Sequence, residues 1–185
     1  MNAIEAILSR KSAPRLEEPS PNDHELELIY KSALRAPDHG ALKPWKFLNV
    51  SGEGRGKLAD AAYKAIKKSD PEKALANKDK ILNAPFRAPL IIVVIASIKE
   101  HEIVPEIEQI LSAGAAAQNI LIASHSLGYT AIWRTGFLAF NEEVSISFGL
   151  DKSDIIIGYL YIGSTDKKLE APEVSNFNDF VYKWS

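Results

Sequence analysis

Two cationic groups stand out by residue type and position. Arg10-Lys11-Ser12 sets two positive charges and a hydroxyl just past an apolar amino-terminal segment, and Arg134 closes a later strand-like run from Tyr129 to Arg134. Cations beside a hydroxyl can jointly hold a dianionic phosphate, because charge-assisted bonds to phosphate oxygens are short and strong and arginine presents a planar fork. Taken singly, each also reads as a solvated surface charge. The loop from Pro37 to Pro44 is a second candidate, with His39 and Lys43 as polar donors beside Trp45. That combination suits a planar ligand, or a loop simply packed by a tryptophan.

Other arrangements fail on spacing. Gly52-Glu53-Gly54-Arg55-Gly56-Lys57 follows a strand pattern and precedes a helix pattern, the context of phosphate-cradling loops. A dinucleotide fingerprint needs glycine where Lys57 stands, and a P-loop needs Ser or Thr where Leu58 stands, so the segment reads as a turn. His24, His39, His101 and His125 show no His-x-x-x-His or Glu-x-x-His pairing, so no metal site is expected. His125 lies between Ser124 and Ser126 without a Gly-x-Ser-x-Gly elbow, and reads as a helix-end histidine bonded locally.

Composition removes further classes. The absence of cysteine excludes disulfides, thiolate nucleophiles, iron–sulfur clusters and Cys-ligated zinc. Lys+Arg 22 against Asp+Glu 24, a net charge of −2, argues against nucleic-acid binding. A length of 185 residues suits one domain spanning residues 1–185. The weakly charged stretch Ile110 to Trp133 carries too many polar residues for a membrane span, and Met1 to Lys11 lacks a secretory pattern, so a cytoplasmic protein is expected.

The elements that must position these residues follow from periodicity. Asn2 with Glu5 makes a capping-box start for a short helix over 2–9. A second helix is expected to start near Ser20-Pro21 and to stop before Pro37. Trp45 to Val50 reads as a strand, and Arg55 to Lys68 and Pro71 to Asn83 as helices with charged outer sides. Leu90 to Ala96 is an unbroken apolar run, the signature of a strand buried on both faces. Pro105 to Leu127 is the longest helical pattern, narrowed at Ser112-Ala113-Gly114-Ala115-Ala116-Ala117 and nearly uncharged, which predicts burial inside the monomer or, as favoured here, against a second subunit. Tyr129 to Arg134, a helix over 141–148 and a strand over 155–162 complete a mixed sheet sandwiched by helices, of α+β or α/β class. The tail from Asp166 to Ser185 carries Phe177, Phe180, Tyr182 and Trp184 without clear period, and should pack on something.

Taken in order, Arg10-Lys11-Ser12-Ala13-Pro14-Arg15, Arg35-Ala36-Pro37-Asp38-His39 with Pro44-Trp45, and Trp133-Arg134-Thr135-Gly136 resemble the FMN-dependent nitroreductase family. Asn83 to Pro89 and Ser112-Ala113-Gly114 extend the likeness, nearest to its small YdjA-type NAD(P)H nitroreductases. The resemblance implies an α+β nitroreductase-like fold forming an intertwined homodimer, with FMN at the subunit interface. It also implies that Arg10, Lys11, Ser12, Trp133, Arg134 and Thr135 of one chain, with Arg35 and His39 of the other, bind the flavin, and that Ala123, Ser124, His125, Ser126, Leu127 and Gly128 contact NADH or NADPH. The flavin N5 would carry hydride to nitroaromatic or quinone-like acceptors by a ping-pong mechanism, with no protein nucleophile. Dehalogenation, dehydrogenation or non-catalytic binding of FMN or another small ligand are the rivals. Pro14, Ala41 and Lys43 depart from the family pattern at the flavin's pyrimidine end, where Arg35 or Lys43 is expected to supply the missing cation and His39 a ring-edge hydrogen bond.

Overall fold

The computed structural model describes residues 1–170 and 175–184. Its centre is a four-stranded sheet of order β1-β2-β4-β3, built from Trp45–Ser51, Leu90–Ser97, Thr130–Arg134 and Asp154–Gly163 in chain order. All neighbouring strands run antiparallel, so the expected mixed sheet is corrected to an antiparallel one within the α+β class. The misreading has a physical source: an apolar run reports burial on both faces, which helices supply here, and carries no information on strand direction.

Alternation along β2 sorts the two faces. Ile91, Val93 and Ile95 pack with Leu58 and Ala65 of α3 (Gly54–Ser69) and Val144 of α7 (Glu142–Ser147). Ile92 and Val94 pack with Ile29 and Ala33 of α2 (Asp23–Ala33) and with Ala116, Ala117, Ile120 and Leu121 of α6 (Glu106–Ser126). The narrow alanine-rich middle of α6 is what lets it lie close to both the sheet and α2. On α6, Ile107 and Leu111 remain 58% and 64% exposed, leaving an apolar side that the described residues do not cover.

Helix ends follow local chemistry. Asn2 caps α1 (Ala3–Ser9) and exchanges bonds with Glu5, as the sequence predicts. The second helix starts later than expected: Asn22 is its cap, in a reciprocal pair with Glu25, and Pro21 lies outside. A capping box satisfies two orphan amides at once and outcompetes a proline start. The helix expected over 71–83 is two, α4 (Pro71–Ala76) and α5 (Lys78–Leu82), broken at Asn77, whose backbone and side-chain nitrogens both donate to the Lys73 carbonyl.

Beside the sheet, Lys46 reaches the Asp154 carboxylate at 2.8 Å. Burial alone would raise that carboxyl, but bonds from Lys46, the Asp151 backbone and Ser97 together hold it below its ordinary value. The tail packs on its own chain at Leu169, but its aromatic residues do not: Phe177, Phe180, Tyr182 and Trp184 project into solvent. Positions 171–174 and 185 of the tail lie outside the described residues.

Candidate functional site

Strand β3 splits two candidate residues between the faces of the sheet. Trp133 points to the α6 face, where its indole nitrogen donates to the Ile157 carbonyl at 3.3 Å. The indole lies so close over β4 that a Cβ at Gly158 would meet Trp133 Nε1 at 2.1 Å, so glycine is required there. Arg134 points to the opposite face, with its guanidinium carbon 5.4 Å from the centre of the Tyr161 ring.

On that face a cavity of about 750 Å³ opens between the sheet and helices α3 to α5. Leu58, Ala62 and Ile66 of α3, with Ile132 and Tyr159 of the sheet, form its apolar walls. Trp133, Arg134, Thr135 and Gly136 make one rim, and Lys73, Asn77 and Lys80 make another. Arg87 also lines it, and burial pushes the Tyr161 phenol up while Arg134 and Arg87 oppose the shift. Both arginines therefore concentrate positive potential at one end of an otherwise apolar hollow.

Arg134 is tied to the first cationic motif. Its Nη2 donates to the Pro14 carbonyl at 3.0 Å, two residues past Ser12, and Arg10 Nη1 donates to Ser12 Oγ at 3.2 Å. The two motifs, 120 residues apart from Pro14 to Arg134, thus meet at one turn. Lys11 turns instead to the Leu169 carbonyl at 2.6 Å. Arg10, Lys11 and Ser12 do not line the cavity and connect to it through the Pro14–Arg134 bond. Arg134 Nε is buried and has no hydrogen-bond partner among the described residues. A buried guanidinium N–H left unpaired is costly, and an anionic acceptor is the partner its charge suits best.

The remaining candidates sit elsewhere on the chain. Arg35 lines a second cavity of about 610 Å³ with Ala123, Ser126 and Leu127, among apolar residues of α1, α2 and α6. His39 lines a third, of about 330 Å³, where its Nδ1 lies 2.6 Å from Glu108 Oε2. Within one chain neither reaches the cavity of Arg134. Lys43 is exposed, its backbone N–H donating to Asp38 Oδ2 at 2.8 Å. Ser124 is buried, its hydroxyl without a partner among the described residues, and Gly128 ends α6 with φ +92°. His125 is not bonded locally as expected: its Nε2 pairs with Ser9 Oγ of α1 at 2.8 Å. Burial first, then the charges of Arg10 and Lys11, hold its pKa below the usual histidine range.

Periodicity misses Lys73 and Lys80 because it assigns charge on a helix to the solvent side, and it offers no role for Asn77 or Arg87. The break at Asn77 turns α5, and with it Lys80, toward the cavity, and an asparagine inside a helical pattern was the available signal. Among the described residues, no cluster of three or more His, Asp or Glu side chains is placed to hold a metal ion, and no helix is long and apolar enough to cross a membrane.

A family model described as the nitroreductase family matches residues 7–164. The chain belongs to the nitroreductase family. Over 169 residues it is 41% identical to the Escherichia coli K12 protein named "Putative NAD(P)H nitroreductase YdjA", covering 91% of each. A Haemophilus influenzae protein named "Putative NAD(P)H nitroreductase" is 34% identical over 185 residues, covering 98% of each. Among solved structures, a nitroreductase-like family protein from Bacillus cereus superposes with a TM-score of 0.84 at 24% identity, covering 100% of this chain and 96% of that one. The FMN and NADPH-dependent nitroreductase NfnB of Sphigopyxis sp. strain HMH does so at 0.77 and 18% identity, covering 100% of both. The α+β nitroreductase-like fold is thereby established for this chain.

Proposed function

We propose that this nitroreductase-family chain is an FMN-dependent oxidoreductase that moves hydride from NADH or NADPH to nitroaromatic or quinone-like acceptors with ping-pong kinetics. The carrying observation is the buried, unpartnered Arg134 Nε at the edge of a cavity of about 750 Å³, a volume within the ordinary range for cofactor sites. The names of YdjA, as an NAD(P)H nitroreductase, and of NfnB, as FMN and NADPH-dependent, support the reading.

FMN, when bound, supplies the hydride chemistry at its N5. The protein's part is binding, orientation and charge. Arg134 with Arg10, Lys11 and Ser12 would neutralise the phosphate, with Thr135 and the backbone of Trp133 along the rest of the cofactor. Lys80 and Lys73 add cations that stabilise a reduced, negatively charged ring, a role expected from the sequence for Arg35 or Lys43. Arg35, His39 and Lys43 would act from the second subunit, and Ala123 to Gly128 is kept as the nicotinamide contact.

A homodimer accounts for the uncovered apolar surface. Ile7 of α1 and Leu28 of α2 line a cavity with Ile122 and Leu127 at the end of α6, and Ile4, Leu8, Ile107 and Leu111 are exposed as well, each by more than a third. Exposed apolar surface of that kind marks an interface, and the projecting aromatic tail is suited to embrace a partner. A cytoplasmic setting, with its supply of NAD(P)H, fits this reading.

The direct test is the visible spectrum of purified protein before and after anaerobic NADH and NADPH. A flavin spectrum that bleaches with either donor is expected; a colourless protein that takes up no FMN overturns the reading. In the loaded protein, Lys80→Ala and Lys73→Ala should each lower the flavin potential by about 30 mV, equivalent to roughly 1.4 kcal/mol for a two-electron couple. Unchanged potentials in both, with a shift in Arg35→Ala or Lys43→Ala, would return the role to the partner's loop.

A further inference from the structure

His39 stands on a loop held in an expensive conformation. Its next residue, Gly40, has φ +73°, and Ala41 and Lys43 have φ +53° and +50°, a region that side-chain-bearing residues rarely adopt. Such strain persists only where surrounding structure fixes it. Here the fixing contacts are explicit. Ser112 Oγ donates to the Pro37 carbonyl at 2.7 Å, the Asp38 carboxylate accepts from the amides of Leu42 and Lys43 at 3.1 and 2.8 Å, and the Lys99 ammonium donates to the Leu42 carbonyl.

The last tie is to the imidazole itself, 2.6 Å from Glu108 Oε2. Glu108 and Ser112 stand one turn apart on α6, the longest helix of the chain, so loop and ring are both referenced to one rigid element. An ionised carboxylate can only accept, so Nδ1 carries the hydrogen and Nε2 is the ring nitrogen left to meet another molecule. An exposed pair of this kind adds little stability. Its consequence is orientation.

We propose that Glu108 is a positioning residue: it fixes the tautomer and plane of His39 so that Nε2 is presented to the flavin bound by the partner subunit. This rests on the assignment of His39 to that flavin, made under the proposed function.

The test is a double-mutant cycle on FMN dissociation constants, read by quenching of flavin fluorescence, with ¹⁵N spectra of labelled imidazoles as a readout independent of activity. His39→Ala is expected to weaken FMN about tenfold. Glu108→Ala should weaken it nearly as much, Glu108→Gln, which retains an acceptor, much less, and the double variant His39→Ala/Glu108→Ala no more than His39→Ala alone. The His39 ¹⁵N pattern should show the Nδ1–H form in the wild type and a mixture in Glu108→Ala. Additive effects, or an unchanged tautomer in Glu108→Ala, overturn the proposal while leaving His39 at the flavin. An unchanged constant in His39→Ala removes His39 from the flavin and ends the proposal with it. Circular dichroism confirms that each variant is folded.

Discussion

Replacing Arg134 with alanine should yield a folded protein that purifies without colour and binds added FMN at least about 100-fold more weakly. The size follows from the chemistry. Each hydrogen bond to a charged group contributes about 1.5–3 kcal/mol, and every 1.4 kcal/mol is roughly tenfold in affinity, so losing two such bonds reaches that range. A second effect acts in the same direction. Arg134 holds the Pro14 carbonyl, so its loss also frees the turn that carries Ser12 and the Arg10 contact. Arg134→Lys should recover little, because an ammonium cannot reproduce the fork that bonds Pro14, lies over Tyr161 and keeps Nε for an anion. Fluorescence titration with FMN, alongside far-ultraviolet circular dichroism, measures this. Wild-type affinity in Arg134→Ala would remove the carrying observation of the proposed function.

The convergence of Arg134 with Arg10 and Ser12 was legible as composition but not as geometry. Sequence shows a cation at the end of a strand and two more after a short helix; that they share the Pro14 turn is decided by strand order, since β3 lies at the edge of the sheet beside β4. Elements with strong local determinants were read well. The Asn2–Glu5 capping box, the buried run of β2 and the narrow waist of α6 each arise from spacing within one segment. Where two local rules competed, the reading slipped, as at Pro21, where the Asn22–Glu25 box sets the helix start.

The residues that periodicity could not find are those whose partners lie far along the chain. His125 looks like a local cap until Ser9 arrives from α1, 116 residues earlier. Glu108 looks like a favourable charge in the first turn of α6, and its pairing with His39 appears only once the loop over 37–43 is folded against that helix. Lys73 and Lys80 read as solvated charges until the helix breaks at Asn77. In each case the residue type was informative and the missing quantity was the direction in which a tertiary contact turns it.

Gly158→Ala should be among the most damaging single-methyl changes in the chain, destabilising it by about 2–3 kcal/mol, which is the upper part of the usual overpacking range. The cause is steric. A Cβ at that position would lie 2.1 Å from Trp133 Nε1, 2.7 Å from Trp133 Cδ1 and 3.0 Å from the Arg134 carbonyl oxygen. The indole must leave its place, losing its bond to the Ile157 carbonyl and its packing on the α6 face. For a chain of this length, a melting temperature lower by roughly 4–12 °C is expected, from about 2–4 °C per kcal/mol. The displacement also reaches the site, because Trp133 and the Arg134 backbone are adjacent on β3 and both press on the new methyl group, so FMN affinity should fall with stability. Trp133→Leu tests the cause. Combined with Gly158→Ala it removes the clashing ring, so the stability costs of the pair should be strongly less than additive. Urea unfolding midpoints for the two single variants and the pair decide the matter: additive costs would mean that the indole over β4 is not what requires glycine there.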